Sequence, residues 1–274
     1  MTVYPLSFSL FGLEVTGFGI LMMVAFLGSG WVMQLELKRR GLNPDFSADI
    51  VVAGVVGGIL GARLWYVALH GGPLLSRAGL VWYGGFLGGV AAVLAMSWWK
   101  RVPVRFTFEL TAPALALGHG LGRVGCFLVQ DDYGVPTTLP WAMKFPEGQP
   151  PTTAASLARW GVDVPAGTPP DAVLAVHPTQ LYEVAALLFM FWLLWRLRRH
   201  RHAVGWLFGV YLGAVGLERF LVEFLRAKDD RLLGVFTLAQ VTSLALLAVG
   251  VGVMILLRRA DGFTVAPKDG LAPR

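Results

Sequence analysis

The 274-residue chain reads as an all-α integral membrane protein with seven transmembrane helices, its N-terminus outside and its C-terminus in the cytoplasm. Three observations predict this. Hydrophobic residues make up 55% of the chain and charged residues only 15%, where a soluble domain carries ~25% charged, and the mean hydropathy is +0.62. Apolar runs near the ~20 residues needed to cross a bilayer recur along the whole length. Basic residues collect after every second run rather than at random.

The runs are Thr16–Leu35, Ala48–Leu69, Leu80–Trp99, Phe106–Phe127, Pro178–Trp195, Val204–Leu225 and Leu232–Leu257. Basic clusters follow the first (Lys38, Arg39, Arg40), third (Lys100, Arg101, Arg105), fifth (Arg196, Arg198, Arg199, Arg201) and seventh (Arg258, Arg259). The opposite loops hold Arg77, Lys144, Arg159, Arg226, Lys228 and Arg231, so twelve basic residues face six. Cytoplasmic loops are enriched in Lys and Arg, which sets the orientation. The net charge of +6 is therefore topological and calls for no nucleic acid. Met1–Phe11 shows neither a basic start nor a convincing cleavage site beyond it, so insertion through the first helix is expected.

Small residues recur at helix-packing spacing in Ala53, Gly57, Gly61 and in Gly205, Gly209, Gly213, which predicts close helix approach. Gly84-Gly85 and Gly88-Gly89 are denser than packing requires and leave room for a lipid tail or headgroup. Residues 135–176, rich in Pro, Thr, Ala and Gly, are too polar to span and too long for a turn, which predicts a small extracytoplasmic cap. Residues 261–274 read as a short cytoplasmic tail.

Three charged groups stand out, because an ionisable residue inside a membrane marks a functional site by default. The first, GHGLGRVGCFLVQDDYG (Gly118–Gly134), carries His119, Arg123, Asp131 and Asp132 where the fourth helix should meet water. The second, HPTQLYE (His177–Glu183), opens the fifth helix, and its Glu183 lies about one turn into the membrane and needs a partner. The third is Glu218, Arg219, Glu223 and Arg226 in the sixth helix, with Arg219 and Glu223 one turn apart. It reads either as a self-neutralising pair or, with Arg123, as an anion site at the depth of phospholipid phosphate. A Walker loop, HExxH, dinucleotide fingerprint and GxSxG elbow are all missing. Neither a metal nor a cofactor is called for. Cys126 is the only cysteine, which excludes an intramolecular disulfide and a thiolate cluster. His200 and His202 fall in a basic cytoplasmic stretch and read as solvated.

Together these segments resemble the prolipoprotein diacylglyceryl transferase family. The resemblance rests on Gly122–Gly125 with Gly134, HPTQLYE at 177–183, and Arg219, Glu223 and Arg226, in matching order and spacing. GARLWY at Gly61–Tyr66, YGGFLG at Tyr83–Gly88 and LAQVTSL at Leu238–Leu244 fit the same pattern. It implies an enzyme of the bacterial cytoplasmic membrane with its site on the periplasmic side, performing the first step of lipoprotein maturation. Such an enzyme moves the diacylglyceryl group of phosphatidylglycerol to the lipobox cysteine of a prolipoprotein signal peptide. A thioether forms and glycerol phosphate leaves. By the resemblance, Arg123 and Arg219 take the headgroup, with Gly134, Asp131, Glu223 and Arg226 beside them. Gly84, Gly85, His177, Gln180, Tyr182 and Glu183 support the site.

Four positions depart from the family pattern. Cys126 stands in place of the usual asparagine, Asp131 in place of its acidic residue, Tyr83 in place of a histidine, and Phe18 in place of a tyrosine. Two candidates for the proton acceptor remain, Tyr83 and His119, one turn before Arg123. A non-catalytic relative binding anionic lipid or lipoprotein precursors is the alternative, and a transporter a third reading.

Overall fold

The computed structural model describes residues 1–73, 81–227, 231–232, 236–259 and 271. Arg77, Lys228 and the predicted tail 261–274 (Leu271 apart) therefore lie outside the described residues, as does the start of the third predicted run at Leu80. The described residues form seven long helices and one short one. These are α1 (Gly17–Arg39), α2 (Phe46–His70), α3 (Trp82–Trp99), α4 (Val104–Val129), the short α5 (Ala154–Arg159), α6 (Thr179–Leu197), α7 (Trp206–Glu223) and α8 (Leu238–Leu256). Five of them, α1, α2, α4, α6 and α8, are long and apolar enough to cross a membrane, as in an integral membrane protein. In α3 the apolar run is diluted by Trp, Tyr and four glycines, and α7 carries Glu218, Arg219 and Glu223.

The last helix begins six residues later than hydropathy predicts. Thr237 stops the apolar run from extending backward: its hydroxyl accepts from Gln240 N while the Gln240 amide accepts from Thr237 N. That capping box satisfies two backbone donors that a helix start otherwise leaves open. At the other end of the chain a hairpin that hydropathy does not reveal, β1 (Ser7–Leu10) and β2 (Leu13–Thr16), leads into α1. Phe11 and Gly12 both have positive φ, 50° and 77°, the two-residue turn whose twist suits a hairpin.

Helix α4 is the axis. It packs against α1, α6 and α7 and, near its start, α3. Ser29 of α1 donates to Ala114 O at 2.9 Å, and a Cβ on Gly118 would come within 2.6 Å of that hydroxyl. Two other pairs touch backbone to backbone. A Cβ on Gly57 would sit 2.6 Å from Gly88 O, and one on Gly61 2.7 Å from Gly88 Cα. Gly84 meets Gly61 in the same seam, so Gly84 and Gly88 hold α3 on α2 and leave no lipid space, contrary to expectation. Across α7 and α8, a Cβ on Gly250 would meet Gly209 O at 2.7 Å and one on Gly216 would meet Ser243 O at 2.7 Å. Gly205 precedes α7 with φ of 99°, and a Cβ there would meet Leu257 Cδ1, just past α8, at 3.2 Å.

The helices alternate in direction, so two ends are defined. At the basic end, Glu36 and Glu109 are almost fully buried. Glu36 accepts from Arg39 at 2.7 Å and Arg40 at 2.6 Å, with Arg198 at 3.6 Å. Glu109 accepts from Gly205 N at 2.9 Å and Leu207 N at 3.2 Å, closing the first turn of α7. His200 Nε2 lies 2.6 Å from Glu109 Oε1, and its side chain is 3% exposed. The expectation of a solvated His200 is corrected: a buried carboxylate needs a partner and takes this ring.

The opposite end carries the cap. Residues 135–176 fold over the ends of α4 and α7 around Tyr133, Phe145, Leu157, Val176 and Ala227. Tyr133 O–H donates to Pro150 O at 2.7 Å. The N-terminal stretch joins this end through Val3 N to Lys144 O and Leu6 N to Leu128 O.

Candidate active site

Beneath the cap, three arginines and three carboxylates form a closed ring of alternating charge. Arg123 contacts Asp132 at 2.7 Å and Glu183 at 3.0 Å. Arg219 reaches Glu183 at 3.6 Å and Glu223 at 2.7 Å. Arg226 lies 3.8 Å from Glu223 and closes the circuit by a short contact with Asp132. Three separate stretches of chain supply the six groups, and the ring sums to zero charge. Glu183 and Glu223 are almost fully buried, whereas the Asp132 side chain is 36% exposed. Charges at this depth are tolerated because each has two opposite neighbours.

The polar residues of HPTQLYE each have a distinct contact. The Thr179 hydroxyl donates to Asp132 O at 2.7 Å and the Gln180 amide to Asp131 O at 2.5 Å, so the start of α6 fixes the loop after α4. His177 O accepts from Gly134 N at 2.8 Å and His177 N donates to Val135 O at 3.0 Å. Burial holds the His177 imidazole below its usual pKa, hence neutral, with Nδ1 3.2 Å from the Tyr182 hydroxyl. Tyr182 also accepts from Trp141 Nε1 of the cap at 2.7 Å. Gly134 is enclosed: a Cβ there would come within 2.8 Å of both His177 Cβ and Thr179 Cγ2, and nearer still to Leu225 O. It lets three segments meet, and its backbone bridges that of Arg226. The Thr237 hydroxyl donates to Glu223 Oε1 at 3.0 Å, leaving Oε2 for Arg219.

The two adjacent aspartates of the first motif part ways in the structure. Asp132, not Asp131, pairs with the arginines. Asp132 has φ of 60°, in the left-handed region, and this turns the chain after α4 so that its carboxylate swings inward. Burial opposes its charge, yet Arg226 and Arg123 outweigh burial and hold its pKa at about 2. Asp131 moves the other way: burial and then the Asp132 charge raise it, and its carboxyl meets the Cys126 thiol. Cys126, Asp131 and Asp132 bring donor atoms within 4.8 Å of one another. Two arginines already neutralise Asp132 there, so the grouping suits a cation poorly.

Of the two proton-acceptor candidates, His119 is half-buried on α4 within electrostatic reach of Arg123 and Arg219. Tyr83 is 57% exposed at the start of α3 with its ring against Trp82, and no hydrogen bond or ring contact joins it to the cluster among the described residues. Phe18 packs on Gly125, next to Cys126. Gly85 faces α2 rather than the ring, its would-be Cβ 3.4 Å from Ala62 Cβ and from Gly58 O. Glu218 is buried, and its Oε1 has no hydrogen-bond partner among the described residues. Thr179, Thr237 and the cap residue Trp141 were not singled out from sequence, where a lone hydroxyl or indole carries no spacing signal.

A bundle of apolar helices with a charge-neutral arginine–carboxylate ring under a cap defines an integral membrane protein with a charged interior site. The family model for prolipoprotein diacylglyceryl transferase matches residues 5–256. The chain belongs to that family. Among similar proteins, a phosphatidylglycerol–prolipoprotein diacylglyceryl transferase of Clostridium tetani is 30% identical over 256 residues, 90% of this chain and 95% of the relative. Proteins of the same name from Trichormus variabilis and Stenotrophomonas maltophilia are 32% and 33% identical, covering 94% and 93% of this chain and 92% of each relative.

Proposed function

We propose that this protein transfers the diacylglyceryl group of phosphatidylglycerol to the lipobox cysteine of prolipoproteins. The observation that carries the proposal is the ring of Arg123, Asp132, Arg226, Glu223, Arg219 and Glu183, each pair within 4 Å. A lipid phosphodiester bears one negative charge, and Asp132 is the ring carboxylate most open to water. The phosphate takes the place of Asp132 between Arg123 and Arg226, and the buried cluster stays neutral. Arg219, held by Glu223, takes a further phosphate oxygen. These cations stabilise the charge that grows on the leaving oxygen as the glyceryl carbon–oxygen bond breaks.

The attacking thiol has an ordinary pKa of ~8.5 and must lose its proton. His119, one turn before Arg123, takes it. The sulfur–carbon bond forms as the electron pair of the carbon–oxygen bond passes to phosphate. No metal or cofactor enters.

For orientation, α3 and α7 at ~1.5 Å per residue approach the ~30 Å hydrocarbon core, so all seven long helices cross it. The clusters after α1, α3, α6 and α8 face the cytoplasm. The ring and cap then face the periplasmic side of the cytoplasmic membrane, where lipobox signal peptides emerge.

Purified protein incubated with phosphatidylglycerol and a lipobox peptide should add a diacylglyceryl mass to the cysteine. Peptide and lipid binding without that increment would assign the ring to a binding protein instead. For the base, His119→Gln should remove the pH dependence and most of the rate, while Tyr83→Phe should keep both. An unchanged profile in His119→Gln would exclude the imidazole.

A further inference from the structure

Between the ring and the cap lies a cavity of about 750 Å³. Its inner wall is Asp131, Asp132 and Arg226, and its outer wall is Gln149, Arg159 and Trp160 of the cap. Arg159 ends α5 and is exposed, and no ion pair or hydrogen bond engages its guanidinium among the described residues. Arg226 faces the same space with Nη1 buried and lacking a hydrogen-bond partner, and Asp131 Oδ1 is also without one. Two cations, one from the ring and one from the cap, therefore line one cavity together with carboxylate and amide oxygens.

We propose that this cavity receives the phosphomonoester released by the reaction: glycerol phosphate held between Arg226 and Arg159, with its hydroxyls on Asp131 and Gln149. The inference rests on the transferase reading above. In that reaction the electron pair of the broken carbon–oxygen bond stays on the phosphate. A phosphodiester with one charge becomes a monoester whose second ionisation has a pKa of ~6. Near neutral pH the product carries close to two charges. The ring remains neutral after exchanging Asp132 for one charge only, so the second has no counter-ion there. Arg159 supplies one on the water side, and the product moves outward to it. A polyol phosphate also matches the acceptors, since its hydroxyls are donors and neither the lipid tails nor the thiol has any use for Asp131 and Gln149.

The test adds glycerol 1-phosphate, inorganic phosphate or glycerol separately to the full-length protein in detergent with phosphatidylglycerol and the lipobox peptide. Glycerol 1-phosphate should inhibit more strongly than either fragment. In Arg159→Gln its inhibition constant should rise by about tenfold, as for a lost charge-assisted contact, and Arg159→Lys should restore part of it. Lys144→Gln removes the same unit charge from the cap outside the cavity and should leave the constant at its wild-type value. An inhibition constant in Arg159→Gln within twofold of wild type would overturn the proposal, as would equal inhibition by inorganic phosphate. A rise in KM for phosphatidylglycerol matching the rise in the inhibition constant would also overturn it, because the cavity would then hold the intact headgroup. If wild type modifies no peptide, the transferase reading fails by itself. Binding of glycerol 1-phosphate, followed by phosphorus NMR in wild type and Arg159→Gln, then decides on the cavity alone.

Discussion

Glu223 uses its two oxygens differently, one on the Thr237 hydroxyl and one on Arg219. It positions Arg219, whose guanidinium would meet the lipid phosphate. Glu223→Gln should therefore reduce kcat/KM less than Arg219→Ala does, and the reverse order in folded protein would make Glu223 a reacting group. Arg123→Lys and Arg219→Lys should each lower kcat/KM by about a hundredfold, the scale of losing one donor aimed at developing charge, because an ammonium cannot reproduce the planar fork. Asp132 gives a pH signature. Its ordinary value is 3.8 and its folded value about 2. A carboxylate held low stabilises the fold fully above its unfolded pKa, and that contribution is lost as pH falls through the folded value. The melting temperature of wild type in detergent should exceed that of Asp132→Asn by a steady margin down to about pH 4, and the margin should close toward pH 2. A margin that closed between pH 7 and 5 would mean the pairs with Arg123 and Arg226 do not form.

The helices were legible because lipid imposes one rule on every residue of a span, so α1, α2, α4 and α6 start within a few residues of the hydropathy limits. Elements set by local hydrogen bonds were not. The β1–β2 hairpin depends on two positive φ values, and the start of α8 depends on one threonine and one glutamine. The site was legible where it is helical: Glu183, Arg219 and Glu223 sit at spacings that fix their faces. Past Val129 the chain leaves the helix, periodicity ends, and adjacent aspartates look equivalent until the backbone turn chooses Asp132. Small-residue spacing predicts packing at Gly57 and Gly61, but the paired glycines at Gly84 and Gly88 point to open space where the structure has the partner surface. Gly61→Leu should thus unseat α3, with a loss of at least about 1–3 kcal/mol as for an overpacked interior, seen as a lower melting temperature in detergent. Unchanged melting would mean the seam is loose.

Among the described residues, the two large charge clusters lie at opposite ends of the molecule. The ring under the cap serves the reaction, whereas Glu36 and Glu109 at the basic end tie α1, α4, α6 and α7 together. Glu109→Ala removes the partner of His200 and of two backbone donors, and breaking a buried pair of this kind costs about 3–5 kcal/mol. The variant should melt earlier while its folded fraction keeps the wild-type KM. A changed KM would couple the two ends.

The two backbone seams join helices that follow one another in the chain, α2 with α3 and α7 with α8. Each pair is thus a hairpin able to settle in lipid as soon as it is synthesised, its contacts complete without help from later segments. The charged ring has only part of such a local solution, in Arg123 with Asp132 and Arg219 with Glu223. Arg123 arrives on α4, Glu183 on α6, and Arg219 and Glu223 on α7, with more than a third of the chain between the first and last. An unfinished polypeptide holds Arg123 against Asp132 alone, and its second carboxylate partner is missing until α6 delivers Glu183. Biogenesis of this protein therefore has a vulnerable interval, bounded by the synthesis of the cap, and the ring closes only when the nascent chain has delivered α7.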